Sequence, residues 1–130
     1  MADVEQGSRP LSPHLQVYKL GLTMIVSGLH RITGVGMIVS AILIVWWFIA
    51  LAVSPDYFAK VDWLLTTWIG LLVMIGSLWA FFHHLMNGIR HLFWDKGYFL
   101  DIPAVEKGAR IVLFGAPVLM VLSVILIAII

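Results

Sequence analysis

The side chains with the widest chemical repertoire in this 130-residue chain are His30, Arg31, His83, His84 and His91, all set within or beside long apolar runs. Helical geometry sorts them. At about 100° per residue, Ser77, Ala80, His84, Gly88 and His91 fall within one narrow arc, because steps of three, four and seven return to nearly the same face. That stripe presents imidazoles separated by small side chains. A flat macrocycle such as haem needs this arrangement, a His nitrogen to reach the iron and neighbours without bulk so that the porphyrin can lie against the backbone. The same stripe also suits a packing seam, since Gly, Ala and Ser are enriched wherever transmembrane helices touch. His83, one residue away, points about 100° aside and reads as a hydrogen-bonding or interfacial residue.

A second group lies further upstream. Ser27, His30, Arg31 and Gly34 are spaced by threes and fours and share one helical face. A hydroxyl and a guanidinium one turn apart can donate hydrogen bonds to a quinone carbonyl, and the planar fork of Arg also matches a carboxylate such as a haem propionate. The alternative is an Arg that snorkels to the headgroups, with Ser27 as a helix cap.

The elements that must carry these residues are membrane helices. Hydrophobic residues make up 62% of the chain, charged residues 12%, and the mean hydropathy is +1.02. No charged residue falls between Arg31 and Asp56, between Asp62 and Arg90, or after Arg110. Each stretch can cross a hydrocarbon core of about 30 Å, which takes roughly 20 helical residues. Gly and Pro punctuate Ser8 to Pro13, Ser54 to Pro55 and Gly97 to Pro103. The expectation is an all-α integral membrane protein, one membrane domain over 1–130 with three transmembrane helices near 25–53, 63–92 and 109–130. Residues 1–24 form an N-terminal cytoplasmic segment. Arg9, Lys19 and Arg31 on the tail side and Arg90, Lys96, Lys107 and Arg110 around the second loop face Lys60 alone in the first loop. The excess of cations places the N-terminus in the cytoplasm and Ile130 on the periplasmic side.

Composition removes other classes. With no Cys, the chain cannot ligate an iron–sulfur cluster or form disulfides, and a formal charge of +1 gives no basis for binding nucleic acid. Met1 to Pro13 carries Asp3 and Glu5 and reads as neither a secretory signal nor an Arg-rich transit peptide, so a bacterial inner membrane is expected. Three helices make a thin bundle, yet polar groups are plentiful at membrane depth, which calls for a second membrane subunit to face them. Trp46, Trp47, Trp63, Trp68 and Trp79 read mostly as belt or packing residues, Met86 as packing turned away from His84, and Arg90 and Asp95 as loop charges that help dock a partner.

Three segments together carry a resemblance. His84-Leu-Met-Asn-Gly-Ile-Arg-His91-Leu-Phe-Trp-Asp95 resembles the His-x3-Gly-Ile-Arg-His-x3-Asp signature of the cytochrome b anchor subunits of succinate dehydrogenase. Arg9-Pro10-Leu11-Ser12-Pro13-His14-Leu15-Gln16-Val17-Tyr18 looks like that family's N-terminal motif, and Ser27 to Gly34 like its Ser-x2-His-Arg-x-Thr/Ser-Gly box. The resemblance implies half of a heterodimeric membrane anchor that shares one haem b. His84 is then the axial ligand of the iron, and the other axial His comes from a second membrane anchor subunit. His30, Arg31 and His91 lie around the haem and its propionates, while Ser27 and Arg31 form part of the ubiquinone site. It also implies an iron–sulfur subunit and a flavoprotein, which hold the clusters and the FAD. A fumarate reductase anchor, a haem-free structural anchor and a small proton-conducting subunit are the alternatives. The last would want ionisable groups spread through the membrane, whereas here they gather at one end.

Overall fold

A computed structural model describes residues 18–130; the segment 1–17, which holds Arg9 and nearly all of the N-terminal motif, lies outside the described residues. The described chain consists of helices α1 (Leu22–Val53), α2 (Pro55–Thr66), α3 (Trp68–Asp95) and α4 (Ile102–Ile129). α1, α3 and α4 are long and apolar enough to span a membrane. α1, of 32 residues, is about 48 Å long, so it projects beyond a hydrocarbon core of about 30 Å.

α2 departs from the expected loop. Ser54 caps it by accepting a hydrogen bond from the Tyr57 amide at 3.2 Å, Pro55 fills its first turn and Asp56 complements its dipole. Trp46 and Trp47 of α1 bind it through their indole N–H groups, to Tyr57 Oη at 2.7 Å and Asp62 Oδ1 at 3.2 Å. These two Trp residues therefore do more than line a belt. Thr67 ends α2 and caps α3, accepting from the Gly70 amide at 3.2 Å. A Cβ at Gly70 would collide with the Leu65 carbonyl, so the α2–α3 corner needs glycine there.

The α3–α4 turn is equally determined. α3 closes with a Schellman pattern, Tyr98 N–H to Phe93 O at 3.0 Å and Gly97 N–H to Trp94 O at 2.8 Å, with Gly97 at φ 79. Asp101 then caps α4 by accepting from the Ala104 amide at 3.1 Å, and Pro103 fits the first turn. α4 consequently begins at Ile102 rather than near 109.

The core is small. Val26, Ala109 and Val112 are its buried centre, with Leu22, Met86 and Leu113 packed around them. Most large apolar side chains of α1, α3 and α4 are exposed, as befits helices whose solvent is lipid or a further subunit.

Candidate cofactor and quinone site

α1 and α3 pack along the small-residue stripe. Ser40 of α1 donates to Ser77 Oγ at 2.7 Å, and Ser77 in turn donates to the Val73 carbonyl at 2.7 Å. Deeper polar contacts of this kind hold transmembrane helices together where hydrophobicity gives no net drive. The seam continues to Gly34, where an added Cβ would lie 3.1 Å from His84 Cε1. Glycine at 34 is what lets the His84 ring rest against α1.

Three of the expected site residues meet here. The His30 and His84 rings stack at 3.9 Å between centroids and 15° between planes, and His91 meets His30 edge-on at 5.4 Å. His84 Nδ1 lies 3.1 Å from the His30 carbonyl oxygen. A carbonyl only accepts, so Nδ1 carries the proton and donates it, which leaves the lone pair on Nε2. An imidazole anchored in this way through its second nitrogen is the usual posture of an axial or metal-ligating His. Thr33 Oγ1 donates to the same carbonyl at 3.0 Å, so the oxygen that orients His84 is itself fixed.

The surroundings fit a haem edge. A Cβ at Gly88, one turn beyond His84, would meet nothing within 4 Å, so the backbone is bare and open there. Among the described residues His30 Nδ1 and His91 Nδ1 are buried without a hydrogen-bond partner, suited to an anionic acceptor such as a propionate. Among the described residues no three His or carboxylate side chains converge to hold a bare ion. One imidazole offered to a porphyrin iron needs no such convergence.

Ser27 and Arg31 lie one turn apart on α1, flanking His30. Ser27 is half-buried, and Arg31 is exposed on the outside of the bundle. The three helices thus leave this pair at the surface, open to a ligand or a partner.

Two readings of α3 need correction. His83 is not interfacial: it is wholly buried inside the bundle, 5.5 Å from the Trp79 ring, with both ring nitrogens lacking a hydrogen-bond partner among the described residues. Arg90 is not a loop charge. It is 9% exposed, donates through Nη1 to Asn87 Oδ1 at 3.0 Å and through Nη2 to the Val105 carbonyl at 3.1 Å, and ties α3 to α4. Together with the buried Asn87, these residues form an inner polar column. Their spacing, four then three, is the same helical signal that marks the His84 stripe. Asp95 is exposed at the end of α3, and Met86 packs into the core away from His84.

Three membrane-length helices with a histidine cluster at one end define a multi-pass membrane protein. Residues 5–126 match the family described as succinate dehydrogenase/fumarate reductase transmembrane subunit, and the chain belongs to that family. A succinate dehydrogenase cytochrome b556 subunit of Paracoccus denitrificans is 47% identical over 125 residues, 96% of each chain. One from Rickettsia felis is 39% identical over 98 residues, covering 75% of this chain and 76% of its own. The cytochrome b560 subunit of Marchantia polymorpha is 35% identical over 123 residues, 91% of this chain and 90% of its own.

Proposed function

We propose that this chain is the haem b-binding membrane anchor subunit of a bacterial succinate dehydrogenase and forms part of its ubiquinone-reduction site. The observation that carries the reading is His84, held by its Nδ1 proton on the His30 carbonyl with Nε2 free for an iron. The names of the similar proteins, cytochrome b556 and b560 subunits of succinate dehydrogenase, point the same way and favour succinate oxidation over fumarate reduction.

His84 would hold the haem iron through Nε2, with a second membrane subunit supplying a further ligand. His30, His91 and Arg31 would hold the haem carboxylates, through the two buried Nδ1 groups and the guanidinium. Bound there, haem b supplies a one-electron carrier. In the soluble flavoprotein, succinate gives up two electrons and two protons to become fumarate, and the electrons pass through the iron–sulfur subunit. Ubiquinone takes up two electrons and two protons to become ubiquinol. Ser27 and Arg31 donate hydrogen bonds to a quinone carbonyl, whose oxygen gains negative charge as electrons arrive. This chain orients the acceptor, and the carbon chemistry belongs to the head.

Purification of the intact complex through a tag on this chain tests the reading. It is expected to recover a flavin- and iron–sulfur-containing head that oxidises succinate, together with a second membrane subunit. Recovery of this chain without such a head would overturn it.

Orientation gives a separate expectation. With Lys60 as the sole cation of the α1–α3 connection, a reporter fused after Pro55 should lie in the periplasm, and the α3–α4 turn, beside Arg90, Lys96, Lys107 and Arg110, in the cytoplasm. A fusion after Pro55 that stays cytoplasmic would reverse the topology.

A further inference from the structure

Between α3 and α4, on the side of α3 turned away from His84, lies a groove of about 580 Å³, whose Trp94 wall stacks on His91 at 5.0 Å. Met86, Ile89, Phe93 and Ile111 form much of its wall, and Arg90 and Lys107 line it toward the α3–α4 turn. Its apolar part runs inward along both helices, and its cations stand about 8 Å from the end of α3, counting 1.5 Å per residue from Arg90 to Asp95.

Arg90 is unusual on this wall. Its guanidinium is fixed by the hydrogen bonds it donates to Asn87 Oδ1 and the Val105 carbonyl, and the Trp94 ring lies under it at 4.0 Å from Cζ. Its Nε has no hydrogen-bond partner among the described residues, and a Cβ at Gly108 would come within 3.2 Å of that atom. Among the described residues the only ion pair is Arg110 with Glu106, so the Arg90 charge, nine-tenths buried, has no counter-ion. An uncompensated buried cation is costly, and a pre-oriented one at the mouth of an apolar groove is complementary to an anion that carries its own apolar body. We propose that this groove holds one anionic diacyl phospholipid of the bilayer, with its phosphate on Arg90 and Lys107 and its acyl chains along Met86, Ile89 and Ile111. Position supports the choice of lipid, because the cations stand at headgroup depth and the apolar wall lies below them.

Native mass spectrometry of the purified complex, exchanged into mixed phosphatidylglycerol and phosphatidylcholine, tests this. One tightly retained phosphatidylglycerol is expected. Lys107→Glu, at an exposed side chain, should weaken its retention about tenfold or more, and Ile111→Trp, which fills the groove, should displace it. Both variants should keep their haem content and succinate oxidation. Arg90→Gln should weaken retention as well, and if it fails to assemble the other two variants decide. Retention of phosphatidylcholine to the same extent, retention indifferent to the charge at position 107, or no retained phospholipid, in which case protein fills the groove, would each overturn the proposal.

Discussion

Replacing Arg31 by Leu is expected to slow ubiquinone reduction by about 10²-fold while leaving succinate oxidation by an artificial dye, which takes electrons from the soluble head, near its normal rate. Ser27→Ala should act in the same direction with a smaller loss. The reason lies in where charge develops. A quinone carbonyl oxygen becomes more negative as it is reduced, so donors positioned on it stabilise the later stages more than the resting complex. Arg31 brings a full charge and a two-pronged donor, Ser27 a single hydroxyl. Both sit at the surface of the bundle, one half-buried and one exposed, so neither substitution empties the core and both variants should assemble. Arg31 also neighbours His30, which the proposed function sets beside the haem. Arg31→Leu should therefore perturb the haem spectrum where Ser27→Ala leaves it unchanged. Normal quinone rate and affinity in both assembled variants would move the pocket elsewhere and return Arg31 to the role of a headgroup anchor.

The second large effect concerns His84. His84→Ala should remove haem b from the assembled complex, because it deletes the one imidazole whose Nδ1 is committed to a carbonyl, 3.1 Å away on His30, with Nε2 left for iron. His83→Ala should keep its haem. His83 faces the bundle interior beside Trp79, so its loss should lower thermal stability rather than cofactor content. His91→Ala should fall between them, weakening haem retention by roughly 10–100-fold, the usual cost of losing a group that orients a ligated cofactor. Haem-to-flavin ratios of the three purified variants rank these outcomes directly. Loss of haem in His83→Ala with retention in His84→Ala would reverse the assignment of helical faces.

Much of this arrangement was legible from residue order. The charge-free stretches marked the three spans, because a bilayer tolerates few charges and each stretch is long enough to cross it. The face shared by Ser77, Ala80, His84 and His91 followed from periodicity alone. What stayed hidden depended on local caps or on how helices pack. Ser54-Pro55-Asp56 and Asp101-Ile-Pro103 are cap-and-proline starts for α2 and α4, yet each also reads as loop punctuation, since Ser, Asp and Pro serve turns equally well. The stacking of His30 on His84 requires a close approach of α1 to α3 at Gly34, which no single-helix projection can supply. Arg90 reads as a loop charge in the sequence because cations near helix ends are ordinarily interfacial. Its engagement with the Val105 carbonyl becomes visible only when α4 starts early enough to present that carbonyl.

The visible difference spectrum of the purified complex, reduced with succinate and compared with its oxidised form, bears on haem ligation without intermediaries. The wild-type complex should show a b-type band that His84→Ala lacks at equal flavin content. A wild-type complex that oxidises succinate without any such band, or a His84→Ala complex that retains the band at full intensity, would contradict the assignment of this chain as a haem-ligating anchor.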